Sequence, residues 1–393
     1  MAMRTGIMGG TFDPIHMGHL AIAENMRTAL GLDRVLVLPT GQPPYKRCHA
    51  ERSARLEMAR LAIAGRTGME LCDIEIARPG DSYTVDTIRE LRAMYPDDSF
   101  TWLLGEDALA HLHAWRDIDE IAGMMDFAVV ARPGRRREPV DAVIARLSQR
   151  SKARVAQLRF DVPDISSGDI RARVAEGVPV EGLVPAAVAD HILIHGLYLC
   201  DYTEAALLDK LRSTITLHRY HHTLGVADTA CRLASRFGVD PMRARLAGLL
   251  HDCAKSLPYG EMRTLVEQNV PDTDALELDA EPVLHAPAGM VLAKRDYGVR
   301  DASILQAIRR HTLGGDHMTA MDAVIYVSDF IEPGRRPFDG LERARAAAET
   351  DIFEAMRICA DLTIAYLASR GQKPHPRTLM VLEAYAQEAS DRA

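Results

Sequence analysis

The strongest constraint on the fold is a change of pattern near residue 200. Before it, short and almost wholly apolar runs alternate with amphipathic stretches, whereas after it every apolar run has helical spacing. Apolar strands that alternate with helices are typical of a parallel sheet covered on both faces. At 393 residues, the chain also exceeds what one core usually supports. We predict a Rossmann-like doubly wound parallel sheet (α/β) over residues 1–200 and an all-α helical bundle over residues 203–393.

The individual elements follow from the same periodicities. Strands are predicted at residues 7–8, 35–38, 71–76, 100–104 and 127–131, and helices at 18–30, 51–63, 84–94 and 140–147. The second half predicts helices at 204–214, 223–237, 241–253, 261–268, 283–297, 302–311, 320–331 and 341–368. The basic segment 132–139 is interpreted as a solvated loop.

Composition excludes several classes of function. The formal net charge of −8 disfavours a protein that coats nucleic acid. The six cysteines form no C-x-x-C pair, which is typical of reduced thiols in a cytosolic chain. The start lacks the apolar stretch of a signal peptide, and no apolar run reaches the roughly 18 residues of a membrane span. We therefore predict a cytoplasmic protein with neither a nucleic-acid nor a membrane partner.

A glycine-rich turn follows the first predicted strand. It reads Gly9-Gly10-Thr11-Phe12-Asp13-Pro14-Ile15-His16-Met17-Gly18-His19. Glycines let the backbone approach a phosphate, and the N–H groups of the helix start face it. The two histidines are three residues apart, so both project from one side of the helix start. The alternative without a function is a strand–turn–helix connection with two surface histidines, but the length and order of the motif favour a nucleotide site.

This turn resembles the nucleotidyltransferase superfamily, whose H-x-G-H signature carries adenylyl transfer. Further segments make residues 3–200 similar to the bacterial nicotinate-nucleotide adenylyltransferases: PPYK at 43–46, SYTVDT at 82–87, GEDAL at 105–109 with Trp115, and ISSGDIR at 165–171. Tyr45 stands where that family has histidine, and Gly168 where it has threonine. Pantetheine-phosphate adenylyltransferase is an alternative within the superfamily, and segments 82–87 and 105–109 argue against it.

The resemblance implies a reaction in which the phosphate of nicotinate mononucleotide attacks the α-phosphorus of ATP. Because this nucleophile is already an anion, positioning and charge neutralisation suffice. Mg²⁺ accompanies ATP and needs few protein ligands. The implied catalytic residues are His16, His19, Lys46 and Arg171; those for ATP are Gly9, Gly10, Thr11, Phe12, Asp107, Ser166 and Ser167; those for nicotinate mononucleotide are Tyr83, Thr84 and Trp115. Core packing is the alternative for Trp115.

Histidine and aspartate recur at intervals along the helical half. Imidazole and carboxylate groups suit divalent transition ions, and the helices of a bundle can direct them at one point. The pattern therefore predicts a metal site rather than isolated core histidines. The candidate ligands are His222, His251, Asp252, His285, His311 and Asp329, whereas His218, His221 and His317 are interpreted as bystanders.

The order of these residues resembles the H…HD…D frame of the HD phosphohydrolase superfamily. With His285, His311 and segment 329–335, the second half is similar to the symmetrical diadenosine-tetraphosphate hydrolases of that superfamily. Leu313 and Phe330 depart from that family, which has threonine and tyrosine there. The resemblance implies that the six candidates hold a divalent transition metal, Fe or Mn, with enough ligands for two ions. It also implies phosphate contacts from Lys255, Arg309 and Arg335.

Together these patterns predict a bifunctional enzyme with small-molecule substrates: ATP, nicotinate mononucleotide and diadenosine tetraphosphate. An alternative stays open, in which the helical half is a nucleotide-binding regulatory module or hydrolyses another nucleotide. A scaffold without chemistry is disfavoured because both halves carry complete motifs. A homo-oligomer is compatible with the sequence, which does not fix the oligomeric state.

Overall fold

The chain forms two compact units in the computed structural model, which describes residues 2–105, 112, 115–131 and 154–391. The first unit extends to Val174 and includes Val178–Leu193; the second comprises Ala175–Gly177 and the residues from Ile194 onward. The division near residue 194 lies before the predicted boundary at residues 200–203. Residues just after it already pack in the second unit, since the N–H of Asp201 donates to the carbonyl oxygen of Tyr297 at 3.0 Å.

The first unit is built on a six-stranded parallel sheet with strand order β3-β2-β1-β4-β5-β6. This confirms the predicted doubly wound sheet. Its strands are β1 (Arg4–Gly10), β2 (Arg34–Pro39), β3 (Met69–Leu71), β4 (Ser99–Gly105), β5 (Asp126–Ala131) and β6 (Val155–Arg159). The described helices are α1 (Met17–Leu30), α2 (Arg52–Ile63), α3 (Ile74–Ala77), α4 (Thr84–Met94), α5 (Ile118–Met124), α6 (Ser167–Ala175) and α7 (Ala186–Ile194).

The strand order places a switch point between β1 and β4. The chain passes from β1 out to β2 and β3 and then returns to the other side of β1 at β4. Ligands of open parallel sheets bind at the carboxyl ends of the strands at such a point. Gly9 lies at this end of β1, and a Cβ there would come within 2.4 Å of the Trp102 ring of β4. Glycine is therefore required for the ring to approach.

Two elements of this unit differ from the sequence prediction. The strand predicted at 71–76 ends at Leu71, because residues 74–77 form the short helix α3, whose buried Glu75 accepts a hydrogen bond from Thr87 Oγ1 at 2.7 Å. Strand β6 was not predicted, since its sequence VAQLR lacks the continuous apolar run of the other strands. The predicted helix at 140–147 and the basic segment 132–139 lie outside the described residues.

The second unit is entirely helical over its described residues, as predicted. Its helices are α8 (Glu204–Thr214), α9 (Leu217–Arg236), α10 (Pro241–Leu250), α11 (Tyr259–Asn269), α12 (Ala275–Leu278), α13 (His285–Asp296), α14 (Ala302–Arg310), α15 (Ala320–Ile331), α16 (Leu341–Ala348), α17 (Ile352–Ser369) and α18 (Pro376–Asp391). The helix predicted at 341–368 is two helices, because Asp351 caps α17 by accepting hydrogen bonds from the N–H groups of Phe353 and Glu354 at 2.9 and 3.1 Å.

Helix α15 lies at the centre of this unit. Its residues from Met321 to Ser328 are all buried, and it packs against α9, α14 and α17. A helix that is apolar around its whole circumference must be covered on every side. Its last turn carries Asp329, which is only partly buried. None of the described helices is both long and apolar enough to cross a lipid bilayer.

Candidate active sites

The first site is organised by the start of α1. His16 is the N-cap: its Nδ1 accepts a hydrogen bond from the N–H of His19 at 3.3 Å, and Nδ1 of His19 accepts one from the N–H of His16 at 3.2 Å. The two rings stack with their centroids 3.6 Å apart. Because both Nδ1 atoms accept hydrogen bonds, each neutral ring carries its proton on Nε2. The pair therefore has two N–H donors suited to an anion.

Residues from the end of the first unit tie down the turn before α1. Arg171 donates from Nη1 to the carbonyl oxygen of Asp13 at 2.6 Å, and Ser167 Oγ donates to the carbonyl oxygen of Pro14 at 2.9 Å. Ser166 Oγ accepts from the N–H of Asp169 at 3.1 Å at the start of α6. The structure thus brings segment 165–171 to the glycine-rich turn, more than 150 residues away in sequence.

Of the other predicted nucleotide contacts, Lys46 and Phe12 lie beside the turn. Lys46 Nζ lies 3.5 Å from Thr11 Oγ1, so this ammonium is beside the turn. The Phe12 ring meets the His19 ring edge-on at a centroid distance of 5.2 Å. Asp107 lies outside the described residues. A Cβ at position 168 would meet only Ser166 Oγ and Arg171 Nη2 at 3.6 and 4.0 Å, so the missing threonine side chain leaves space.

A buried arginine that the sequence did not reveal holds this loop together. Arg55 on α2 is 1% exposed and donates to the carbonyl oxygens of Thr11, Thr40 and Gly41 at 2.9, 2.5 and 2.7 Å. It also donates to the carbonyl oxygen of Ala50 at 3.3 Å. The first three carbonyls belong to the glycine-rich turn and to the exit of β2. A single guanidinium therefore fixes both walls of the cleft above β1 and β2.

A cavity of about 410 Å³ opens beside the glycine-rich turn. The Trp102 and Trp115 rings meet edge-on in its wall at a centroid distance of 5.5 Å. Tyr83 and Thr84, at the start of α4, also line it, and among the described residues no side chain caps the first turn of that helix. Backbone N–H groups there suit a carboxylate. The remaining lining residues include Gly9, Gly10, Leu38, Thr40, Pro44, Tyr45, Glu75, Ser82, Leu104 and Arg116.

The second site is a cavity of about 390 Å³ in the helical unit. Its lining includes five of the six predicted ligands, and the sixth, His251, forms metal-competent groups with them. Every predicted ligand is therefore brought to one place from five separate segments of the chain. The lining residues are His218, Arg219, His222, Asp252, Lys255, Pro282, His285, His311, Thr312, Tyr326, Asp329, Phe330, Arg335 and Thr363.

Among the described residues the donors form overlapping groups, and Asp252 belongs to two of them. One carboxylate oxygen, Oδ1, lies 3.1 Å from His285 Nε2 and 3.8 Å from His311 Nε2. The other, Oδ2, lies 3.7 Å from His251 Nε2, which is itself 3.8 Å from Asp329 Oδ1. Carboxylates often contribute one oxygen to each of two neighbouring ions. This donor set fits either one or two divalent ions.

Backbone carbonyls orient two of the imidazoles. His251 Nδ1 lies 2.7 Å from the carbonyl oxygen of Gly248, and His311 Nδ1 lies 2.7 Å from that of Ile308. Each Nδ1 therefore carries the proton, and each Nε2 presents a lone pair to the cluster. Nε2 of His251 is buried without a hydrogen-bond partner in the described structure. Such an atom is expected where a metal ion binds.

Burial keeps the inner imidazoles neutral. Burial, reinforced by neighbouring imidazoles, lowers the pKa of His311 to about 3. Burial likewise lowers the pKa of His285. The neutral ring is the form that binds a metal.

The carboxylates at this site stay ionised. Burial alone would raise the pKa of Asp252 and Asp329, but facing imidazoles, chiefly His251 for the first and His222 for the second, hold both well below the usual value. Burial alone would lower the pKa of His222, yet its bonds to Asp329 Oδ1 at 3.0 Å and Glu332 Oε1 at 3.1 Å raise it. Glu332 was missed from the sequence, although it lies three residues after a predicted ligand.

Two of the three predicted phosphate-binding cations line this cavity, and the third, Arg309, does not. Lys255 Nζ lies 3.9 Å from Asp252 Oδ1, and Arg335 donates from Nη2 to Asp329 Oδ1 at 2.6 Å. Arg309 does not line the cavity: it is buried and forms a two-point ion pair with Glu277, with Nη2 at 2.7 Å from Oε2. The pairing occupies the guanidinium, which corrects the interpretation of this residue as a phosphate contact.

Two further residues enter the cavity. Arg219 donates to Asp252 Oδ2, and it lies one helical turn before His222 on α9. That spacing was the available signal, because residues three apart share a helix face. His218, interpreted as a bystander, also lines the cavity, whereas His221 and His317 are not among its lining residues.

Comparisons with known proteins match the two halves of the chain to different families. Residues 7–173 match the family described as cytidylyltransferase-like, and residues 219–356 match the HD domain family. Over 198 residues the chain is 39% identical to a probable nicotinate-nucleotide adenylyltransferase of Symbiobacterium thermophilum, covering 50% of this chain and 95% of that protein. A protein of the same description from Roseiflexus sp. (strain RS-1) is 44% identical, with 49% and 96% covered.

Among solved structures, one from Clostridium acetobutylicum is described as a predicted HD superfamily hydrolase involved in NAD metabolism. It is 34% identical, covers 48% of this chain and 98% of that chain, and has a TM-score of 0.46.

Proposed function

The N-terminal half of the chain belongs to the nicotinate-nucleotide adenylyltransferase family, and from that premise we propose that it transfers AMP from ATP to nicotinate mononucleotide. The products are nicotinate adenine dinucleotide and pyrophosphate, so the reaction belongs to NAD biosynthesis. The observation that carries the proposal is the reciprocal His16–His19 cap, whose Nε2–H donors stand at a glycine-rich turn beside an aromatic cavity.

The chain's own groups are proposed to position both substrates. The His16 and His19 donors would neutralise charge that develops on the ATP phosphates, and Lys46 adds a cation beside the same turn. Mg²⁺ that arrives with ATP would supply further charge neutralisation. Arg171 acts by holding the carbonyl of Asp13 and thereby the turn. The attacking phosphate is already anionic, so no residue has to remove a proton from it.

The aromatic cavity is proposed to hold the pyridine ring. Trp115 offers a ring face, and the uncapped start of α4 at Tyr83 and Thr84 offers N–H groups to the nicotinate carboxylate. A neutral carboxamide gains less from the positive end of a helix than a carboxylate does. We therefore propose that this site prefers nicotinate over nicotinamide mononucleotide.

Replacement of His19 tests the first activity. His19→Ala removes one Nε2–H donor, and loss of such a donor typically lowers kcat by about 100-fold or more. Pyrophosphate release with ATP and nicotinate mononucleotide is the assay. His221→Ala, at an exposed position outside both cavities, is the matched control and should keep the parent rate. Equal rates for the two variants would contradict the role of the histidine pair.

For the C-terminal HD domain we propose hydrolysis of a nucleotide polyphosphate, most specifically of diadenosine tetraphosphate to two ADP. The domain is of a hydrolase type, and its cavity combines five of the six predicted metal donors, with His251 adjoining them, and the cations Arg219, Lys255 and Arg335. Bound divalent ions, Fe or Mn by preference, would activate a water molecule and neutralise the leaving phosphate. The three cations suit a phosphate chain, since arginine and lysine donate to several phosphate oxygens at once.

Product analysis separates this proposal from a regulatory domain. The metal-loaded His19→Ala protein is incubated with diadenosine tetraphosphate, so that adenylyl transfer does not enter the result. Two equivalents of ADP, abolished by the further change Asp252→Ala, support symmetrical hydrolysis. Absence of turnover with Mn²⁺, Fe²⁺ and Co²⁺ would favour a nucleotide-binding regulatory role or another phosphorylated substrate, and would leave the first activity intact. A cytoplasmic location, where ATP is available, fits both activities.

A further inference from the structure

Arg309 lies two residues before the predicted ligand His311 but has no role in the proposed chemistry. It donates to both carboxylate oxygens of Glu277, which is fully buried on the short helix α12. A second guanidinium shares this carboxylate, because Nη1 of Arg377, at the start of α18, donates to Oε2 at 2.9 Å. We name Arg309, Glu277 and Arg377 the buried triad. It connects α18 to α14, the helix that ends one residue before His311.

The start of α18 also contacts residues 311–314, which we name the ligand segment. Thr378 Oγ1 donates to the carbonyl oxygen of Leu313 at 3.2 Å, and this hydrogen bond is buried. The Val381 side chain is fully buried as well. It lies so close to Gly314 that a Cβ at that position would be 2.3 Å from it. Helix α18 therefore packs directly on the ligand segment through both a polar and an apolar contact.

A buried ion pair of this kind specifies a position more than it stabilises a fold. The cost of removing the charges from water offsets most of their attraction, so apolar residues of similar volume are often at least as stable. The two-point contact between Arg309 and Glu277 nevertheless fixes the mutual orientation of the two side chains. The ligand segment needs a fixed position, because His311 has to direct Nε2 at Asp252 Oδ1, which lies 3.8 Å away.

We propose that the buried triad and the start of α18 act as a clasp that positions His311 for metal binding. The C-terminal helix thereby sets the affinity of a metal centre whose six predicted ligands all lie on other elements. Arg309 and Arg377 are positioning residues in this arrangement. The inference rests on the metal site of the proposed hydrolase, but it does not depend on which substrate that site cleaves. Loss of the clasp keeps the His311 imidazole and removes its fixed direction, so the metal binds more weakly.

Metal binding by the full chain tests the clasp without depending on turnover. Arg377→Met removes one donor from Glu277, and Thr378→Val repeats the test with the triad intact, should the first variant fail to fold. Arg370→Met is the matched control, because Arg370 is exposed directly after α17, with Cζ 5.8 Å from the centroid of the Tyr366 ring. Each protein is titrated with Co²⁺, whose visible absorption reports both occupancy and coordination geometry, and an Asp252→Ala protein provides the blank.

Loss of a group that orients a metal ligand typically weakens metal binding by about 10- to 100-fold. Because the clasp acts on His311 through the ligand segment, Arg377→Met and Thr378→Val should each weaken Co²⁺ binding by about 3- to 10-fold. Arg370→Met should match the parent. The decisive comparison uses a His311→Ala background, in which Arg377→Met should cause no further loss, since changes that act through one shared residue are not additive.

The outcomes separate the clasp from the hydrolase. A loss of Co²⁺ affinity that disappears in the His311→Ala background would support the clasp even if diadenosine tetraphosphate is not cleaved. An equal loss with and without His311 would overturn it, because α18 would then act on the whole bundle. A lower melting temperature with unchanged Co²⁺ affinity and absorption would also overturn it and leave the hydrolase intact. Failure of the parent to bind Co²⁺ beyond the Asp252→Ala blank would overturn the clasp together with the metal site.

Discussion

Replacement of Arg55 should destabilise the first unit more than any surface substitution on the same helix. The change is Arg55→Met, which keeps an unbranched apolar stem of similar length and removes the guanidinium. Three carbonyl oxygens, of Thr11, Thr40 and Gly41, lose donors at 2.9 Å or less. Each buried acceptor left without a donor costs about 1–3 kcal/mol, and relief of the buried charge offsets part of the sum. We expect a net loss of about 3–4 kcal/mol.

The chain supplies its own reporter for this measurement. Both of its tryptophans, Trp102 and Trp115, lie in the first unit, so fluorescence in a urea titration follows that unit alone. Arg52→Met is the matched control on α2, because Arg52 reaches the carbonyl oxygens of Arg78 and Gly80 only at 3.3 and 3.5 Å. It should cost less than about 1 kcal/mol, as exposed polar contacts usually do.

Activity provides a second reading of the same change. Arg55 holds the turn that carries the histidine pair, so a protein with Arg55→Met that is still folded should show a raised KM for ATP. The KM of Arg55→Lys for ATP should lie between those of the parent and Arg55→Met, because one ammonium group replaces a planar guanidinium that reaches several carbonyl oxygens. If Arg55→Met and Arg52→Met shifted the free energy of unfolding equally, the guanidinium would not be what joins the two walls of the cleft.

Three further outcomes follow from particular contacts. Burial alone would raise the pKa of Asp98, but hydrogen bonds, including one from Arg34, hold this pKa below the usual value. The carboxylate therefore stabilises the fold fully above about pH 4, and this stabilisation is lost as the pH falls through the lowered folded pKa. In the same urea titration, the parent should lose more stability between about pH 5 and pH 3 than Asp98→Asn does. His251→Ala should lower the bound metal per chain by elemental analysis, and a chelator should lower the melting temperature of the second unit in the parent while leaving tryptophan fluorescence unchanged. Gly314→Ala should cost the second unit at least about 1 kcal/mol in thermal unfolding, because φ is +68 and a Cβ would lie 2.3 Å from Val381; an unchanged melting temperature would show that α18 yields freely.

The parts of the fold and sites that the sequence predicted are those with local causes. The His16–His19 cap depends on residues three apart, and most of the predicted metal ligands lie in short motifs at or next to a helix end, whereas His222 lies in the second turn of α9. Apolar runs likewise identify the central strands, because these are buried on both faces. Periodicity failed at β6, an edge strand whose side chains alternate in burial, and at α3, where one turn of helix interrupts an apolar run.

The parts that sequence reasoning missed depend on partners distant in the chain. Glu332 orients His222 from 110 residues away, and three of the carbonyls that Arg55 binds are 14 to 44 residues away. Arg309 was misinterpreted for the same reason. It follows the pattern of a cation beside a ligand histidine, but Glu277, 32 residues earlier, takes both of its N–H pairs. No local pattern distinguishes an arginine that faces a substrate from one that faces a buried glutamate.

Two histidines of the first site differ in tautomer from two of the second, and the difference matches the proposed functions of the sites. At the first site a backbone N–H donates to each Nδ1, which leaves the proton of His16 and His19 on Nε2, where it can be donated to a phosphate oxygen. At the second site a backbone carbonyl accepts from Nδ1 of His251 and His311, which leaves a lone pair on Nε2. The backbone partner, a donor in one case and an acceptor in the other, therefore leaves an N–H donor at Nε2 in the sheet unit and a lone pair at Nε2 in the helical unit, as the two proposed functions require. If the backbone N–H and carbonyl partners of the two sites were exchanged, both sites would lose the Nε2 group that their proposed functions need, although no side chain would have changed.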